Sequence, residues 1–142
     1  MRLAGIRGAI TVEKDEPDLV LDAVKLLLKE ILLANASLQP DDIASAVFTA
    51  TQDIKSVFPA KAAREEGWNH VPLMCATEMP VPGSLPLCIR VLIHWNTNLA
   101  QPEIRHVYLR KAAMLRPDLV IPTTSKRNSN LSIGKEDEEV TL

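Results

Sequence analysis

An arginine in the middle of an apolar strand pattern is what most restricts this chain. Residues 85–95, LPLCIRVLIHW, alternate with a period of two. Leu87, Ile89, Val91 and Ile93 fall on one face, and Cys88, Arg90, Leu92 and His94 on the other. Arg90 is therefore predicted mid-strand among apolar neighbours. Its guanidinium does not lose its proton, and a desolvated charge left without a partner costs on the order of several kcal/mol. The counter-charge is either a carboxylate of the chain or one brought by a ligand.

The segments on either side supply the elements of an α/β (α+β) domain. Residues 2–12, RLAGIRGAITV, read as an opening strand; Gly5 and Gly8 flank Arg7 and leave room for close approach. Asp15 is the predicted N-cap of a long helix, with Glu16, Pro17 and Asp18 in its first turn. Val20, Val24, Leu27, Ile31 and Ala34 form its buried stripe, widened by Leu28 and Leu32, and Asn35 ends it. A strand is predicted over 44–51. A short helix over 58–66 follows, entered at Pro59, capped by Gly67 and carrying Lys61 and Arg64 on one side. Residues 70–79 read as a strand on which Met74, Ala76 and Glu78 share one face and Cys75, Thr77 and Met79 the other. A last strand over 104–109 carries Tyr108, and residues 112–119 close the fold. The expectation is a mixed sheet of about five strands with one long helix and short helical turns. One helix cannot cover both faces of such a sheet, so its open face is expected to meet copies of itself.

Length and composition narrow the class. With 142 residues and 15.7 kDa the chain suits one core, expected over 1–121. Residues 122–142, polar and then acidic through Glu136–Glu139, are expected to form a flexible tail. A formal charge of -2 argues against a nucleic-acid or anionic-membrane binder. The longest apolar helical run is interrupted by Asp22, Lys25, Lys29 and Glu30, so it does not span a membrane. Two cysteines, Cys75 and Cys88, lack metal spacing and follow no leader, which points to a reduced cytoplasmic setting.

Arg7, Arg64, Arg90 and Arg116 all sit beside apolar or structured positions, and Glu78 is the one well-placed acid. Two readings stand side by side. In the first, Glu78 and Arg90 form a buried pair and the other arginines face a subunit interface; in the second, an excess of guanidinium makes an anion pocket. Cys75 has no histidine at motif spacing, and His70, His94 and His106 show no metal-ligand pattern, so no metal is expected. Phosphate loop, dinucleotide fingerprint and nucleophile elbow are all missing. An enzyme built from these residues works by position and charge.

The motifs IRGAIT (6–11), FPAKAAREEGW (58–68), VPLMCATEM (71–79), CIRVLIH (88–94) and RHVYL followed by LRPDL (115–119) occur in one order. The combination strongly resembles the short, monofunctional trimeric chorismate mutases. That resemblance implies a trimeric pseudo-α/β-barrel, active sites between subunits, and rearrangement of chorismate to prephenate with no cofactor, for phenylalanine and tyrosine biosynthesis. It also implies site roles. Arg90 would stand at the breaking ether oxygen, Glu78 would accept the ring hydroxyl, Arg7 and Tyr108 would bind the enolpyruvyl carboxylate, and Cys75 would line the ring side. Phe58, Ala60, Lys61 and Arg64 would come from the neighbouring subunit, Leu73 and Met74 would touch substrate, and Leu115 and Arg116 would close the mouth. Met74 departs from the small polar residue often found in relatives. Rival readings are a trimeric imine deaminase and a non-catalytic trimer that binds a small anion.

Overall fold

The protein is described by a computed structural model over residues 1–115. Arg116, the end of the predicted closing segment and the predicted tail over 122–142 lie outside the described residues. Five strands, β1 (Arg2–Thr11), β2 (Ile43–Ala50), β3 (Leu73–Thr77), β4 (Cys88–Thr97) and β5 (Val107–Leu109), build one sheet in the order β3-β2-β4-β1-β5. Helix α1 (Pro17–Ala34) follows β1, and the short α2 (Ala60–Glu65) precedes β3. Single 3-10 turns occupy Pro40–Asp42, Gln101–Glu103 and Arg110–Met114. The sheet is mixed: β4 runs antiparallel to both β1 and β2, while β5 is parallel to β1 and β3 parallel to β2.

Strand alternation and register decide which residues share a face. Gly8, Val91, Phe48 and Cys75 form one row across β1, β4, β2 and β3, and Ile6 with Ile93, and Ile10 with Ile89, extend the same face. This face is buried beneath α1, whose Val20, Val24, Leu27 and Ile31 are wholly inaccessible. Each such side chain contributes about 1.5–3 kcal/mol by leaving water. The seating depends on Gly8. A Cβ there would lie 2.8 Å from Ile31 Cδ1 and 3.3 Å from Leu27 Cδ1, so only a bare Cα admits the helix this close to β1. Helix α2 is fastened to α1 by a 2.8 Å ion pair from Lys25 to Glu65 and ends at Gly67, whose φ of 92° suits glycine alone.

The opposite face carries the rows Ala76, Thr49, Arg90, Ala9, Tyr108 and Met74, Val47, Leu92, Arg7. Neither helix covers it. At the β5 end Tyr108, Ala112 and Leu115 close over Ala9 and Cys88 in a small second cluster. Elsewhere Leu3, Leu92 and Met74 remain exposed.

Several expectations need correction. The central strand begins at Cys88, because Leu87 takes a left-handed φ of 51°, and it runs on to Thr97, so Trp95 joins the core face while Leu87, just before the strand, packs against the core only partly buried. Asp15 does not cap α1; the N-cap is Glu16, and the Asp15 carboxylate accepts from the backbone N–H groups of Lys55 and Ser56 instead. Strand β3 spans only Leu73–Thr77, which leaves Glu78 just beyond it. The last strand is shortened to Val107–Leu109 because Ile104 still closes the preceding turn through its bond to Gln101. Residues from Arg110 form a 3-10 turn in place of the continuation expected from 112.

Candidate active site

Arg90 and Tyr108 come together because Ala9 alone separates them in one row of the sheet. A larger residue at position 9 would fill the floor between them. Arg7 stands one row over, two residues along the same strand as Ala9, and therefore points to the same side. Glu78 arrives from the far edge. Its backbone N–H bonds to Ala50, which continues the β2 pairing one step past Thr77, and its side chain turns back over β2. There Glu78 Oε2 accepts a 2.6 Å hydrogen bond from Thr49 Oγ1 and faces Arg90 Nε at 3.5 Å.

These four side chains line one cleft of about 380 Å3 with Gly8, Val47, Thr49, Val91 and Leu92. The volume suits a small metabolite. The Arg90 and Glu78 side chains are 22% and 23% exposed, so both charges are partly desolvated without being sealed off. Beneath them, burial pushes the Cys88 thiol up, against a weaker opposing pull from the Arg90 guanidinium, which keeps it neutral. The cleft thus combines two guanidiniums, one carboxylate, one phenol and an apolar wall. It can hold an anion of more than one charge and offers both signs to a reacting group.

The other predicted residues divide. Phe58, Lys61 and Cys75 line a second, larger cleft of about 830 Å3 with Lys55 and Thr77, and Thr49 borders both clefts. Cys75 lies on the helix-covered face by register, with its side chain half-buried against the core, and not beside the Arg90 guanidinium. Phe58 is 71% exposed, and Arg64 is exposed on α2. Ala60 is buried in the core, Leu73 packs against it, and Met74 is exposed on the open face. Leu115 is buried with Tyr108 at the rim. Thr49 carried no mark in the sequence; only its register opposite Arg90 reveals it.

The family described as chorismate mutase type I matches residues 3–119. A chorismate mutase AroH of Thermus thermophilus is 54% identical over 115 residues, covering 81% of this chain and 94% of that one. The chorismate mutase AroH of Bacillus subtilis strain 168 is 48% identical over 120 residues, covering 84% and 94%. Among solved structures, a chorismate mutase from Clostridium thermocellum superposes with a TM-score of 0.76 at 47% identity, covering 78% of this chain and 98% of its own. At these identities and coverages, the chain belongs to the type I chorismate mutase family.

Proposed function

We propose that this protein converts chorismate to prephenate in the cleft between Arg7, Glu78, Arg90 and Tyr108. The observation that carries the reading is a guanidinium held beside a carboxylate that does not consume it. Arg90 Nε makes no hydrogen bond among the described residues, and Glu78 Oε2 is engaged by Thr49. That nitrogen is itself buried, so it is the rest of the guanidinium and the Glu78 carboxylate, both lining the cleft, that a third group would meet.

The reaction needs no nucleophile and no outside electrons. One carbon-oxygen bond of the ether breaks while one carbon-carbon bond forms, so every atom of chorismate is retained in prephenate. Negative charge gathers on the ether oxygen and positive charge on the ring in the transition state. A fixed cation at the oxygen and an anion at the ring stabilise that state more than the substrate. Arg90 is assigned to the oxygen and Glu78 to the ring hydroxyl. Arg7 and Tyr108 take the enolpyruvyl carboxylate, folding the side chain over the ring before reaction and removing an orientational cost.

The active unit in this reading is a homotrimer. The open sheet face, with Leu3, Leu92 and Met74 exposed, is the surface that copies would cover. Phe58, Ala60, Lys61 and Arg64 would then belong to the neighbouring subunit's wall of each site, with Cys75, Leu73, Met74, Leu115 and Arg116 completing it. No helix among the described residues is long and apolar enough to cross a membrane, and the cytoplasm is the proposed setting. A deaminase or a non-catalytic anion binder is not favoured, since the relatives are named chorismate mutases.

The test is direct. Purified protein mixed with chorismate should speed the loss of its ultraviolet absorbance and yield prephenate, with one trimer mass by light scattering. An absorbance trace indistinguishable from the protein-free control would overturn the reading.

A further inference from the structure

Three residues before Arg90 the backbone adopts a conformation that leucine avoids. Leu87 has φ 51°, and only Arg110 shares a positive φ among the described non-glycine residues. Glycine is the usual occupant of such a position. Here a neighbouring carboxylate meets the backbone: both oxygens of Asp53 accept from the single N–H of Leu87, at 3.2 and 3.0 Å. Asp53 also accepts from Thr51 Oγ1 at 2.5 Å, and that hydroxyl oxygen in turn accepts from the Cys88 N–H at 3.0 Å. From the other side Val12 N–H bonds to the Leu87 carbonyl at 2.9 Å. The entry to β4 is thereby clamped between the ends of β1 and β2.

We infer that Asp53 is a positioning residue for Arg90, holding Leu87 in its left-handed turn so that β4 starts in the register that aims the guanidinium at Glu78. Asp53 is exposed and lines neither cleft, so it does not touch substrate. Its effect runs through the chain. Thr11 pairs with Cys88 and Ala9 with Arg90, and the turn at Leu87 is where this pairing begins. Strained backbone next to a working group persists only when its surroundings hold it, and Asp53 is that support. The inference rests on the reading of Arg90 given above.

Turnover, KM and thermal midpoint are measured for Asp53→Ala, Asp53→Asn, Leu87→Gly, Asp53→Ala/Leu87→Gly and Arg90→Ala, each assayed well below its own midpoint. Asp53→Ala is expected to lower kcat about tenfold with a smaller change in KM, since a small misplacement of a charged group is costly. Asp53→Asn, which keeps one carbonyl acceptor, should fall between it and the wild type. Leu87→Gly alone should turn over like the wild type. Added to Asp53→Ala, it should restore most of kcat, because glycine takes a positive φ unaided. Because each protein is assayed folded, with its midpoint measured separately, a change in stability alone would shift the midpoint and leave kcat unmoved. A folded Asp53→Ala protein with kcat within about twofold of wild type, or a double variant no faster than Asp53→Ala, overturns the inference. Wild-type turnover by Arg90→Ala overturns the site reading as well; a crippled Arg90→Ala beside an unaffected Asp53→Ala sinks the positioning role alone.

Discussion

Arg90 and Glu78 face each other across 3.5 Å, yet the arginine Nε makes no hydrogen bond to that carboxylate. A settled guanidinium-carboxylate pair closes to about 2.7–2.9 Å and is often bidentate. The nearer Glu78 oxygen instead accepts from Thr49 at 2.6 Å. A loose pair of partly exposed charges adds little stability. In the proposed reaction a substrate group draws on both partners.

Removing Arg90 should therefore remove catalysis more than folding. Arg90→Ala is expected to lose roughly 100- to 1,000-fold in turnover, the scale of one oxyanion donor. Arg90→Lys keeps the charge and loses the planar fork, so a substantial defect is expected there too. Steady-state kinetics with chorismate decide it. Turnover within a few-fold of wild type would take Arg90 out of the mechanism.

Glu78 tests the other end of the charge separation. Glu78→Gln keeps an acceptor for the substrate hydroxyl and for Thr49, so its defect should be smaller than that of Glu78→Ala. Equal rates for the two variants would deny Glu78 a role as acceptor. Thr49→Val, which removes the hydroxyl that orients Glu78, should lower turnover in the wild-type background and have little further effect on Glu78→Ala.

The cysteines separate covalent from electrostatic chemistry. Burial raises the Cys88 thiol above its usual range, so alkylating agents at neutral pH should leave it unmodified in the folded protein. Cys75, half-buried at the wall of the larger cleft, is predicted to be dispensable for bond making. Cys75→Ala should retain most of the activity; mass-spectrometric detection of a substrate-cysteine adduct would contradict the scheme.

Much of this architecture was legible because alternation survives in the sequence wherever one face of a strand is buried. The stripe Val20, Val24, Leu27, Ile31 and the run Ile89, Val91, Ile93 announce helix and strand, and both lie where the periodicity puts them. Arg90 stood out because its charge broke such a run. Register is another matter. That Thr49 lies opposite Arg90, or that Ala9 opens the floor before Tyr108, depends on long-range pairing that no local pattern encodes. Asp15 misleads for a related reason: a good capping residue by position, it was claimed by the backbone of Lys55 and Ser56, forty residues away in sequence. Tertiary hydrogen bonds outbid local preference there, as they do where Asp53 bends Leu87.

Gly8 links packing to the site, and its replacement should be felt as stability. In Gly8→Ala the new methyl meets Ile31, Leu27 and Val91 within 2.8–3.3 Å, in a core with no spare room. Overpacking of this kind costs about 1–3 kcal/mol. The urea midpoint should fall accordingly. An unchanged midpoint would mean that α1 shifts away freely, and that its contact with β1 next to Arg7 is not fixed as described.

The Asp15 carboxylate should give the fold part of its acid sensitivity. Hydrogen bonds from the Ser56 side chain first, and then from the Lys55 backbone, hold this carboxyl below its ordinary value of 3.8. A carboxyl that binds its proton more weakly when folded makes stability rise with pH over the interval between the two values. Its contribution is complete above the unfolded value and is lost as pH falls through the lower, folded one. Asp15→Ala should therefore be less stable than the wild type in urea unfolding at pH 7, and the gap should narrow once the pH drops below about 3.8. Since these bonds tie the start of α1 to the loop ahead of Phe58, the variant should also loosen residues 55–58. Amide exchange there should quicken at pH 7 in Asp15→Ala. A stability gap that stays constant from pH 7 to pH 3 would show that the ionised carboxylate is not what holds the loop.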